Sequence, residues 1–124
     1  MAQAIDSLTL DLAGKSLDAL WERSNVISNN IANSDTANYK EKSVSFENEL
    51  SSALGDGSLT QSELNGITPQ VVTNQGSMDA NGNSVDVDSQ MVELTRNQLQ
   101  YTYMSKAAAS SLDMLRNAAS EGRN

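Results

Sequence analysis

The sequence predicts a mainly α-helical chain in which two long terminal helices pair as a coiled-coil-like hairpin around a small irregular, β-containing insert. Three observations carry that prediction. Apolar residues recur in alternating steps of three and four at both ends of the chain. The middle is rich in Gly, Asn, Asp, Ser and Thr and holds the sole proline, Pro69. Aromatic residues make up only 4% of the chain, too few for a dense globular interior but enough for helix-on-helix seams. The segments divide at 1–33, 34–87 and 88–124, with a helix at each end and the insert between.

The first helix is expected over about 4–33, which contains no Pro and one Gly, Gly14. Its seam is Leu10, Ala13, Leu17, Leu20, Ile27 and Ile31, with Ser24 as a polar interruption. Such a stripe is too narrow to bury a helix by itself. The insert follows. Phe46, Leu50 and Leu54 suggest a short helix ending at Gly55-Asp56-Gly57. Residues 68–73 and 84–87 are expected as short strands, with Asn81-Gly82 as a turn signal between them. The second helix, over about 88–120, is expected to start at an Asp88 or Ser89 cap. It places Met91, Leu94, Tyr101, Ala108, Leu112 and Leu115 on its seam, with Gln98 and Ser105 as polar members. Val92, Leu99 and Met104 widen that stripe, so this helix has apolar surface for more than one neighbour.

Charge and composition exclude several functions. Between residues 34 and 89, nine acids face only Lys40 and Lys42, and the whole chain has a formal charge of −8. An acidic middle repels phosphate and anionic lipid, which argues against nucleic-acid binding and membrane-surface docking. No stretch is apolar enough to span a bilayer. The start of the chain lacks the basic, then apolar, pattern of a secretory signal, so export is expected to use a route without a cleaved signal peptide. There is no Cys and no His. The usual base of a nucleophilic triad is therefore missing, and Lys15-Ser16 and Ser105-Lys106 are helix neighbours that point apart. Glu47 and Glu49 read as solvated charges. The Asx-rich run from Asp79 puts Gly82 fourth and Gln90 twelfth, which fails the calcium-loop pattern of Gly at six and Glu at twelve. No cofactor, metal or catalytic group is expected, and the chain is expected to be non-enzymatic.

Two motifs remain. Asn29, Asn30, Ile31, Ala32 and Asn33 are followed by Thr36, Ala37, Asn38, Tyr39 and Lys40. This resembles the N-terminal signature of bacterial flagellar axial proteins, commonly NNIAN and then T, P, G, Y and K; here Ala37 and Asn38 replace the Pro and Gly. A run of Asn and Asp competes with helix continuation, so the helix should end near Asn33, and Tyr39 and Lys40 should open an extended segment. The second motif runs from Asn81-Gly82-Asn83 through Gln90-Met91-Val92-Glu93-Leu94 to Asn97-Gln98-Leu99-Gln100-Tyr101. It is similar to the entry of the C-terminal helix in the proximal-rod class of flagellar basal-body rod proteins. A sister rod class tends to carry Ser-Arg-x-Tyr-Gln-Ala there.

The resemblance implies a structural subunit that joins homologous rod proteins in a helical tube, transmits torque and encloses the export channel. It also implies a periplasmic place in the basal body. The partners it implies are other rod subunits, the junction protein at the membrane ring and the flagellar export gate. A sister-class rod subunit and a soluble helical adaptor or export chaperone are the alternatives. A narrow seam with an uncovered outer face further predicts a marginally stable isolated monomer.

Overall fold

The computed structural model describes residues 2–55, 59–74, 76 and 78–122. In chain order the elements are α1 (Ala2–Ala32), β1 (Lys42–Ser45), α2 (Glu47–Leu54), α3 (Gln61–Asn65), β2 (Gln70–Thr73) and α4 (Val87–Glu121). The fold is mainly α. At 1.5 Å per residue α1 and α4 are roughly 45 and 50 Å long, and they pack side by side for much of that length. They run antiparallel, because Asn30 meets Gln90, Ser24 meets Asn97, and Met104 packs on Ala19 and Leu20.

On α1, Ala13, Leu20 and Ile27 are buried, and Leu10, Leu17, Ser24 and Ile31 are half-buried. On α4 the inward positions at the start of the helix are Gln90 and Asn97, both buried. Met91 and Gln98, one residue further on, are exposed, so the α1–α4 contact does not take up Met91. Side-chain hydrogen bonds from Asn30 to Gln90 and from Asn97 to Leu20 O set this rotation, each at 2.7 Å. Leu94, Ala108, Leu112 and Leu115 are half-buried, and Tyr101 is exposed at the border.

The insert packs against the middle of α1. β1 and β2 form a two-stranded antiparallel sheet with Lys42 opposite Thr73 and Ser45 opposite Gln70. The partner of β2 is thus β1, and the strand expected over 84–87 does not form. Residues there have other bonds to make: Ser84 N–H donates to Tyr39 O, and the Asp86 side chain accepts from Ser89 N–H as the N-cap of α4. Helix α4 consequently begins at Val87, ahead of the expected Asp88 or Ser89 cap. Helix α2 forms where Phe46 and Leu50 suggested it, and Gly55 caps its end. The other two residues of the expected Gly55-Asp56-Gly57 turn lie outside the described residues. Helix α3 was not foreseen, although Thr60 and Glu63 form a reciprocal capping box whose T-x-x-E spacing is visible in the sequence.

Phe46 seals the centre of the fold against Ala19 and Leu20. Arg23 lies over the Phe46 ring, 5.2 Å from its centroid, and its Nη2 donates to Val44 O and to Glu47 Oε2. Beyond Phe46, Leu64 and Ile67 are buried, while Lys15 Nζ donates to Asn65 O and Ile67 O and ties the segment after α3 to α1.

Candidate functional site

The two sequence motifs, some fifty residues apart, meet at one end of the hairpin. Asn30 is the centre. Its side chain is fully buried at 0% exposure, and each of its hydrogen-bonding positions is filled. Nδ2 donates to Lys42 O and to Gln90 Oε1, both at 2.7 Å. Oδ1 accepts from Lys42 N–H at 3.0 Å and from the Tyr39 hydroxyl at 3.4 Å. One amide on α1 therefore holds the start of β1 and the first turn of α4 together. Asn83 does the same for the loops. Its Nδ2 donates to Asn33 O and Thr36 O, and its Oδ1 accepts from Val85 N–H.

The remaining motif residues shape the turn. Asn33 Nδ2 donates back to Asn29 O, and Thr36 Oγ1 donates to Asn33 Oδ1, which closes α1. Asn38 sits at φ 63°, in the left-handed region that favours glycine and that Asn tolerates better than most residues. Its N–H donates to Asn81 O, and Gly82 at φ 82° lies against its side chain. Lys40 Nζ donates to Gly82 O and to Met78 Sδ. Ile31 and Tyr39 are half-buried, whereas Asn29, Ala32 and Thr36 are exposed. The motif is thus an internal clamp that fixes where the chain leaves one long helix and enters the other.

The assembly seams predicted from sequence divide in two. Ala13, Leu20 and Ile27 on α1 are buried within the subunit, and Leu10, Leu17 and Ile31 on α1 are half-buried, as are Leu94, Ala108, Leu112 and Leu115 on α4. Met91 and Tyr101 remain on open surface. Other large apolar residues are more exposed still: Trp21 at 62%, Leu99 at 68%, Tyr103 at 74% and Met114 at 61%. Helical spacing places Val92, Leu99, Tyr103 and Met114 on one line of α4 turned away from α1. On one flank of the hairpin, Leu99, Tyr103 and Met104 border a groove of about 470 Å³ with Phe46 and Leu50. On the other, Trp21, Leu94 and Tyr101 border one of about 630 Å³. The sequence had marked Val92 and Leu99 as widening the stripe; Tyr103, Met114 and Trp21 went unmarked because they fall off the heptad.

The inward seam also buries polar side chains. Ser16, Asn30, Gln90 and Asn97 are buried along it. Asn97 Nδ2 donates to Leu20 O and Ser24 Oγ at 2.7 Å, and its Oδ1 has no hydrogen-bond partner. The clearest electrostatic feature is the Arg23–Glu47 pair at 2.7 Å. Partial burial works to raise the Glu47 carboxyl, but the Arg23 hydrogen bond and charge, with backbone N–H donors, outweigh it and hold the group below its ordinary value. Among the described residues no cluster of His, Cys, Asp or Glu could hold a metal ion, and no helix is long and apolar enough to cross a membrane.

Comparison with known proteins agrees with the motifs. The family model described as flagella basal body rod protein matches residues 10–40. The chain is 36% identical over 118 residues to the flagellar basal body rod protein FlgB of Borreliella burgdorferi, covering 82% of this chain and 87% of that one. It is 39% identical over 84 residues to FlgB of Bacillus subtilis, covering 61% and 65%. FlgB of Escherichia coli is 27% identical over 126 residues, covering 87% and 90%.

Proposed function

Because the chain belongs to the family of flagellar basal body rod proteins, we propose that it sits in the proximal rod and packs its terminal helices with those of neighbouring rod subunits into a helical tube. It is a structural rod subunit and not an enzyme, and it associates with other flagellar rod components. In the proposed arrangement the tube transmits torque, encloses the export channel and crosses the periplasm. Its lower neighbours are the junction protein at the membrane ring and the export gate.

The observation that supports this most is the distribution of apolar surface. Large apolar side chains on α4 point both toward and away from α1, and a helix apolar on several faces is normally buried on several faces. The insert covers only one part of α1. Neighbours on both flanks would cover Trp21 and Tyr101 on one side and Leu99 and Tyr103 on the other. Contacts between unlike patches propagate into open filaments rather than closed dimers. Torque then passes through many shared side-chain contacts.

Electron microscopy of basal bodies from a strain lacking the gene tests the assignment, with the parent strain alongside. Rings without a rod, restored by the gene in trans, are expected. Intact rods would overturn it. Leu99→Asp and Tyr103→Asp refine the test, since both residues are exposed in the subunit. These variants should fold but fail to complement, because assembly would bury an unpaired charge. Leu17→Asp, Ile27→Asp, Leu94→Asp and Leu112→Asp should also abolish rods, through the subunit's own seam.

A further inference from the structure

The two edges of the small sheet are treated unequally. Asn74 N–H donates to Glu41 O next to the Lys42–Thr73 pair, which sets the parity of the ladder. In an antiparallel pair, alternate residues direct both backbone groups to the partner strand. Asn74, Val72 and Gln70 therefore face β1, while Thr73 and Val71 direct their N–H and C=O groups to the outer edge of β2. The same parity turns Lys42 and Val44 outward on β1. There α1 has closed the edge: the Asn30 amide takes both backbone groups of Lys42, and Arg23 takes Val44 O. Nothing in the described structure closes the edge of β2. All four residues of β2 are exposed, and Val71 and Val72, on opposite faces, are 50% and 46% exposed. The strand carries no charged residue, and Pro69 stands just before it, so the N–H groups of Val71 and Thr73 remain free to donate.

We propose that β2 is a docking edge for an extended, lysine- or arginine-flanked segment of a different polypeptide, which adds to the sheet as a third strand beside Val71 and Thr73. The proposal rests on the reading that the chain is built into a multi-subunit rod. Charge selects the occupant. A carboxylate stands at each end of β2: Glu49 Oε2 accepts from Thr68 N–H before it, and Glu41 Oε2 accepts from Asn74 Nδ2 after it. Lys40 and Lys42 do not offset the charge of the insert, since residues 34–89 hold nine acids against those two bases. Antiparallel pairing of β2 with a second copy of itself would set two such acidic inserts side by side, so the charge of the insert selects against self-pairing. Main-chain hydrogen bonds supply attachment, and the two acidic ends supply selectivity.

The test is photo-crosslinking in living cells, with p-benzoylphenylalanine placed at Val72 and, as a control, at the exposed Gln61. Mass spectrometry should map the Val72 adduct to an extended, Lys- or Arg-bearing segment of another protein, with no such adduct from Gln61. Val71→Pro removes only an outward N–H, a substitution edge strands tolerate, and should cut the adduct roughly tenfold while circular dichroism stays unchanged. Val71→Thr should retain it. Replacing Glu41 and Glu49 by Gln should also weaken it, because Gln keeps the local acceptors and removes the charge. Absence of an adduct, an adduct to a helix or to a second copy of β2, or indifference to Val71→Pro would each overturn the proposal. Copurification with basal bodies is scored separately: the protein missing from basal bodies but carrying the adduct would sink the rod reading and leave the docking edge standing.

Discussion

Two buried asparagines on the same helix interface should respond to the same substitution with opposite signs. Asn30→Leu removes an amide whose donors and acceptors are all used. It strands Lys42 N–H, Lys42 C=O and Gln90 Oε1, while the Tyr39 hydroxyl can turn to water. At about 1 kcal/mol for each stranded group the loss is roughly 3 kcal/mol, offset by less than ~1 kcal/mol of added apolar burial. Asn97→Leu removes an amide whose oxygen is buried with no partner. Its two donor bonds go to Leu20 O, already served within α1, and to Ser24 Oγ, which can turn to its own helix. Relief of the orphan acceptor and burial of Leu should then yield a net gain of about 1 kcal/mol. Urea unfolding of the purified protein, followed by far-ultraviolet circular dichroism, reads both values. The corresponding midpoint shifts in heat are roughly 10 °C down and 4 °C up. An Asn30→Leu variant within about 0.5 kcal/mol of the parent, or an Asn97→Leu variant that loses stability like Asn30→Leu, would refute the clamp and the orphan argument alike.

Three further outcomes are expected. Gly82→Ala forces a side chain onto a backbone at φ 82° and against the Asn38 side chain, so it should cost about 1–2 kcal/mol; Gly14→Ala, in mid-helix with open space around it, should stabilise by up to ~1 kcal/mol, both read by the same urea series. The carboxyl of Glu47 is held below its ordinary value of 4.5, so its pairing with Arg23 stabilises the fold above that pH and is lost as pH falls through the depressed folded value. Wild type should therefore lose stability relative to Glu47→Gln on acidification below about pH 4.5, a modest effect because half of the side chain is exposed, and parallel curves for the two would exclude it. Asn38→Gly should leave stability unchanged or slightly raised, since Gly adopts the left-handed conformation without strain; a loss above ~1 kcal/mol would mean that the Asn38 side chain contributes more than its backbone.

Periodicity made the helical hairpin legible, since seven positions on α1 in alternating steps of three and four require a partner along one line. The motif at Asn29–Asn33 located the end of α1 because Asn side chains compete for backbone bonds, and Asn33 does bond Asn29 O. The rotation of α4 was not legible. Hydropathy assigns Met91 to the seam and Gln90 to solvent, and only the Asn30 amide, sixty residues away, reverses the two. Strand pairing failed for a similar reason. The Asn81-Gly82 signal predicts a turn correctly, but hydrogen bonds to Asn38 and Asp79 make it part of the clamp rather than a hairpin. Spacing showed that the outer stripe of α4 was wide, whereas the depth of the grooves beside Phe46 and Trp21 depends on where the insert lies.

The two surfaces of the hairpin depart from those of an autonomous one. A self-sufficient pair would bury Leu99 and Tyr103 and expose Gln90 and Asn97; this chain does the opposite. Buried amides contribute little net stability, but they admit only one rotation of α4 on α1, because any other leaves an amide without partners. The internal amides thus specify geometry more than they stabilise, and a large reserve of apolar area lies outside, on α4 and Trp21. Covering Leu99, Tyr103, Trp21 and Met114 in an assembly would contribute about 1.5–3 kcal/mol per side chain fully buried, comparable in sum with the whole stability of a small domain. A subunit built this way is weakly held alone and strongly held among neighbours. Mutations that make the seam apolar, Asn97→Leu above all, should therefore stabilise the isolated chain without strengthening the rod, whereas Leu99→Asp should spare the chain and abolish the rod.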